Sequence, residues 1–105
     1  MWHTVAVYLQ GTREDQRPEE DTWEERILLI DADDASKAAK DARELTEADS
    51  LDVLTISGHT LRWRFSHVGQ VCALDEGELK SGTELWSRFL KDSEARSLMR
   101  PFEDS

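Results

Sequence analysis

The sequence is poor in cysteine: Cys72 stands alone, so no disulfide can form within the chain. A reducing, cytoplasmic setting is the default expectation for such a protein. Long apolar runs are missing too, and none approaches the roughly 20 residues that cross a bilayer. The opening "MWHTVAVYLQG" has no basic region and no long apolar core, so it does not read as a signal peptide. Cations are scarce, with 13 lysines and arginines against 23 aspartates and glutamates, for a formal net charge of −10. Nucleic-acid affinity depends on cations that displace condensed counterions, and an anionic membrane repels acid in the same way. Neither nucleic acid nor membrane is therefore expected as a partner. The charge suits a basic protein partner, or serves solubility alone.

Chemistry-bearing patterns are equally thin. His3, His59 and His67 are not spaced as a metal pair on one element, and a lone cysteine cannot complete a zinc site. Cys72 lies in an apolar stretch without an adjacent base, which reads as packing and not as a nucleophile. There is no phosphate-cradling glycine loop and no nucleophile elbow. No metal, no cofactor and no catalytic residue is expected, and the chain reads as non-enzymatic.

What is present is a foldable pattern. At 105 residues the chain fits one small domain over 1–105, with 91–105 as a C-terminal extension. Hydrophobic residues make up 38% and charged residues 34%. The apolar ones are clustered, which favours a folded domain with acidic loops over a disordered chain.

"HTVAVYL" reads as a first strand with Val5, Val7 and Leu9 on one face. "QGTREDQRPEED" has no apolar anchor and is expected as an exposed connection. In "TWEERILLIDA", Trp23, Ile27 and Leu29 share one side while Leu28 and Ile30 share the other. Apolar material on both sides predicts an interior strand covered on two faces. The period then changes, and Ala35, Ala38, Ala39, Ala42 and Leu45 mark an amphipathic helix, capped by Asp33 or Asp34. "LDVLTISG" and "TLRWRFSHVGQVCALDE" read as a hairpin turning at Gly58-His59, with a bulge at Gly69.

The segment over 83–90 fits a helix through Leu85, Trp86, Phe89 and Leu90, or less well a strand. "DSEARSLM" reads as a short helix stopped by Pro101. The fold expected is α+β: a mainly antiparallel sheet of four to five strands with one helix packed on one face. The indoles of the second and fourth strands, Trp23 and Trp63, should lie beneath that helix.

Three pieces, "WEERILLIDADD", "LRWRF" and "SGTELWSRF", follow the opening "WHTVAVYL" in an order and spacing that resemble a known family. It is the group of small bacterial proteins classed as domain of unknown function 4288. The matching residues are Trp23-Glu24-Glu25, Gly58 to Phe65, and Gly82 to Ser87, within about residues 2 to 89. The resemblance implies a small cytoplasmic bacterial α+β domain with no assigned activity and no catalytic residues. It also implies an extended conformation over Gly82 to Phe89, which makes the expected order β-β-α-β-β-β with a short C-terminal helix.

The residues worth weighing as a contact surface are Trp86, Arg62, Arg64, Glu24, Glu25 and Glu84. Neighbouring strand positions point to opposite faces, so Glu24 and Glu25 cannot act together as paired carboxylates. Glu25 with Glu84 would need the fold to bring them together. In "TLRWRF" the alternation puts Leu61, Trp63 and Phe65 on the core side and Arg62 and Arg64 on the outer side. There the arginines should meet carboxylates on adjoining strands, each contact contributing about 0.2–1 kcal/mol. Trp86 is the tryptophan expected at an interface.

Three functional expectations follow. The first is a non-catalytic protein-interaction module, meeting a partner or a second copy of itself as a homodimer. The second is an acidic inhibitor of a basic protein, of the immunity or antitoxin type. The third is a small-ligand binder or enzyme using Glu25 and Arg64.

Overall fold

The computed structural model describes residues 1–49, 51–54, 58–74 and 79–99. Strands β1 (Trp2–Arg13) and β2 (Thr22–Asp31) are followed by helix α1 (Ala35–Ala48), strands β3 (Leu51–Leu54) and β4 (Thr60–Ala73), and helix α2 (Asp92–Met99). β2, β1 and β4 make a three-stranded antiparallel body, and the short β3 pairs antiparallel outside β4, giving the order β2-β1-β4-β3. The architecture is α+β. Among the described residues, no helix is long and apolar enough to cross a membrane.

β1 is an interior strand, and β2 is an edge. Val5, Ala6, Val7 and Leu9 are all fully buried, because β1 is flanked on both sides and covered on both faces. Val5, Val7 and Leu9 face α1, while Thr4 and Ala6 are small enough to lie under a chain segment crossing the opposite face. The apolar residues on both sides of β2 have a different explanation. Leu28 and Ile30 pack towards the helix, whereas Trp23, Ile27 and Leu29 face away from it and stay about half exposed on an edge strand. Trp23 pairs with Gln10 on that far face, so it does not lie beneath the helix.

β1 runs further than its apolar pattern. Gln10 to Arg13 continue the ladder with β4, and the connection expected from Gln10 onward begins only after Arg13. Gly11 makes this extension possible: a Cβ there would stand 2.9 Å from the Trp63 ring, which lies against the bare glycine. The turn then closes through Gln16 N–H to Arg13 C=O at 3.2 Å and one 3-10 turn at Pro18–Glu20.

Helix α1 begins where Asp34 caps it, its carboxylate accepting the Lys37 N–H at 2.8 Å. The stripe that meets the sheet is Ala38, Ala42 and Thr46, while Leu45 is exposed. The alanine row lets the helix lie close on β1, β2 and β4. Thr46 tolerates burial because its hydroxyl donates to the Ala42 carbonyl at 2.7 Å. Trp63, Phe65, Val68 and Val71 close the core from β4. Trp63 and Phe65 therefore sit on the helix side, and the Arg43 guanidinium lies 5.4 Å from the centre of the Phe65 ring.

The β1–β4 register shifts between Val5 and Val7 and again between Tyr8 and Leu9. Gly69 lies in the first of these irregularities, where a Cβ would stand 2.6 Å from the Tyr8 ring. Gly58, at φ 85°, precedes β4. The rest of the expected third strand, 55–57, and the expected tail of the fourth, 75–76, lie outside the described residues.

The fifth strand expected over 83–90 is absent: residues 84–91 are neither strand nor helix. The alternation there is real, but the segment is tied down by side chains and not by a backbone ladder. The Thr4 hydroxyl donates to the Leu85 carbonyl at 2.7 Å, and Arg88 reaches Glu25. Residues 79–91 thus form a strap across the sheet face opposite α1. α2 follows, with the Lys91 N–H held by Glu94 at 3.0 Å. Pro101, expected to stop this helix, lies outside the described residues.

Candidate functional site

The face of the sheet away from α1 collects the polar chemistry of the molecule. β1 sends Thr4, Tyr8 and Gln10 to it, β2 sends Trp23, Glu25, Ile27 and Leu29, and β4 sends Arg62, Arg64 and His67. Tyr8 is the hub. Its hydroxyl donates to Glu25 Oε2 at 2.7 Å, and its ring stacks on His67 at 4.7 Å between centres. The close approach of the ring to Gly69 explains why that position carries no side chain.

Glu25 Oε2 also accepts from Arg88 Nη1 at 3.0 Å, and the Arg88 guanidinium lies 5.1 Å from the centre of the Trp86 indole. The hydrogen bond to the Glu25 carboxylate is the main reason the Tyr8 phenol holds its proton above its ordinary value of 10.0, with burial adding to it. A tyrosine held neutral in this way donates; it is not poised as a base or nucleophile at neutral pH.

The six weighed residues separate into different environments. Glu25 joins the Tyr8–Arg88 cluster and does not meet Glu84, which is exposed with no hydrogen bond or ion pair among the described residues. Glu24 pairs with Arg26 on the helix side of β2, and Arg26 also comes within 3.9 Å of Asp49. Arg64 lies 3.0 Å from Asp52 on β3, so its acidic neighbour comes from there and not from the β2 glutamates. Arg62 is exposed directly opposite Asp52. Trp86 is half-buried beneath Arg88, and its Nε1 is buried with no hydrogen-bond partner among the described residues. The exposed apolar groups of the strap are Leu79, Leu85, Phe89 and Leu90.

Cys72 is partly buried and receives the Gln70 amide at 3.3 Å. His59 lies 3.4 Å from Asp15, whose carboxyl is held below the ordinary value chiefly by Arg13. Among the described residues no group of histidine, cysteine, aspartate or glutamate is arranged to hold a metal ion.

Sequence reasoning missed Tyr8 and Arg88. The alternation along β1 does put Tyr8 opposite Val7 and Leu9, but nothing local says that its hydroxyl meets a carboxylate 17 residues on. It also missed the groove beside the β2 edge. This groove has a volume of about 500 Å³ and runs between the end of β2 and α1, over Leu29, Ile30, Leu45 and Ala48. The exposure of Leu45 is its one visible trace in the helical pattern.

No curated protein and no solved structure matches the chain. A family model described as "Domain of unknown function (DUF4288)" matches residues 2–87. The chain belongs to that family.

Proposed function

We propose that this member of the DUF4288 family is a non-catalytic protein-interaction module, with the β2 edge and the apolar face beside it as the contact surface. The observation that carries this reading is the character of β2. It is a ten-residue strand at the sheet edge, and it bears Trp23 at 51%, Ile27 at 43% and Leu29 at 52% exposure, all on one face. Long apolar edge strands template further pairing, and proteins ordinarily blunt them with charge, proline or a cover. On the other side of the sheet the four-residue β3 pairs only with Thr60–Trp63, and the rest of β4 bears the exposed polar residues Arg64, Ser66, His67 and Gln70. The strap adds Leu85 and Phe89 to the same face, extending the apolar area alongside β2. Exposed patches of this kind mark interaction sites.

An inhibitor of the immunity or antitoxin type is the second reading, favoured by the net charge of −10, which would steer encounter with a basic protein. The Tyr8–Glu25–Arg88 cluster supports a fastening role for the strap, since its donors and acceptors satisfy one another. A cytoplasmic setting suits the lone Cys72.

Photo-crosslinking from position 29 in the host cell tests the proposal, with position 36 on exposed α1 surface as the control. One discrete adduct is expected from position 29, and Ile27→Asp should abolish it without lowering thermal stability. No adduct, or the same adducts from both positions, would overturn it.

A further inference from the structure

We infer that the β2 edge receives an extended segment of a partner protein rich in both lysine or arginine and apolar residues, added to the sheet as a further strand. This rests on the interaction-module reading above and names the chemistry of the occupant.

Two features set that chemistry. The first is the groove between β2 and α1. On the helix side its floor is apolar, made by Ile30, Leu45 and Ala48, and its rim is three carboxylates, Asp31, Asp41 and Glu44. Among the described residues no lysine or arginine lines it. Asp41 is engaged by Lys37 at 3.1 Å, and Asp31 by the chain's own ammonium at 3.0 Å. Glu44 forms no hydrogen bond or ion pair among the described residues. A strand added to β2 alternates its side chains, so every second one falls on the helix side, over this floor and within reach of this rim. Its other side chains fall beside Ile27 and Leu29, where exposed apolar surface also waits.

The second feature is the net charge. A second copy would bring another −10 and lay its own acidic rim against this one. A cationic segment meets complementary charge on approach and at the rim. The same alternation that gives affinity through the backbone gives selectivity through the groove.

The probes are three peptides of about ten residues, matching the length of β2. One alternates valine with lysine, one alternates valine with glutamate, and one is the lysine peptide N-methylated at every amide. Binding to the full chain is followed by fluorescence anisotropy and by amide chemical shifts. The lysine peptide should shift amides of β2 and α1, and N-methylation should abolish binding by removing ladder donors. Asp41→Asn with Glu44→Gln should weaken it about five- to tenfold. The same charge change on the far side of the sheet, Glu14→Gln with Asp52→Asn, should weaken it less than about twofold.

Equal weakening by both double variants, or unchanged binding of the N-methylated peptide, overturns the inference by reducing it to bulk charge attraction. Equal or tighter binding of the glutamate peptide at β2, or a second copy of the chain seated there, overturns the cationic occupant while the interaction module stands. If no peptide touches β2 and position 29 crosslinks nothing, both fall.

Discussion

Arg88 and Glu25 are 63 positions apart and meet at 3.0 Å, on the same carboxylate oxygen that receives the Tyr8 hydroxyl. One atom of β2 therefore joins the central strand to the strap. Thr4 holds the strap three residues earlier through the Leu85 carbonyl, so a segment without regular structure is fixed at two points.

Arg88→Ala should loosen that segment without unfolding the domain. Both side chains are partly exposed, at 29% and 31%, so the pair contributes no more than about 1 kcal/mol to global stability. Hydrogen exchange should accelerate in 79–91 and stay unchanged in β1 and α1. Arg96→Ala, which removes a more exposed pair within α2, should leave strap exchange unaltered. Equal exchange in wild type and Arg88→Ala would show that the strap is held by its apolar contacts alone.

Tyr8 can be titrated without ambiguity, because it is the only tyrosine in the chain. Its raised pKa means that the folded state keeps the phenol proton where the unfolded state has begun to lose it. The resulting stabilisation is complete below the unfolded value of 10.0 and is lost as pH rises through the higher folded value. Phenolate absorbance should therefore give a midpoint above that of the denatured chain. Glu25→Gln should bring the midpoint down, since it removes the charged acceptor that favours the neutral phenol. A midpoint unmoved by Glu25→Gln would contradict the hydrogen bond as the cause.

Two glycines are placed by neighbouring rings and not by backbone angle. A methyl on Gly69 would meet the Tyr8 ring at 2.6 Å, and one on Gly11 would meet the Trp63 ring at 2.9 Å. Gly69→Ala and Gly11→Ala should each destabilise by about 1–3 kcal/mol, as overpacked sites do. Their signatures differ. Gly69→Ala displaces Tyr8 from Glu25 and lowers the phenol midpoint, whereas Gly11→Ala perturbs Trp63 fluorescence and leaves that midpoint in place. Denaturant unfolding with both spectroscopic readouts separates them.

Local pattern carried the elements a chain can state to itself. Val5, Val7 and Leu9 alternate, Asp34 caps, and the residues of "LRWRF" divide cleanly between Trp63 and Phe65 inside and Arg62 and Arg64 outside. What stayed hidden depends on partners distant in sequence. β2 looks interior because its apolar residues occupy both sides, and only the strand order reveals that it is an edge. The segment over 83–90 alternates like a strand, yet Thr4 and Glu25 hold it through side chains. Tyr8 reads as one more strand residue until Glu25 and Arg88 arrive from elsewhere.

The helix shows how fine that boundary is. The alanine pattern is satisfied equally by a stripe ending at Leu45 or at Thr46, and apolarity alone favours leucine. The sheet selects Thr46, because the row Ala38–Ala42–Thr46 presents the smaller surface and lets α1 approach closely. Ala42→Leu should therefore force the helix off the sheet and destabilise by about 1–3 kcal/mol. Leu45→Ala should change stability by less than about 0.5 kcal/mol, because that side chain is 56% exposed and alanine is the better helix former. The reverse order in thermal unfolding would mean that Leu45 and not Ala42 faces the sheet. The floor of the groove beside β2 would then be lost with it.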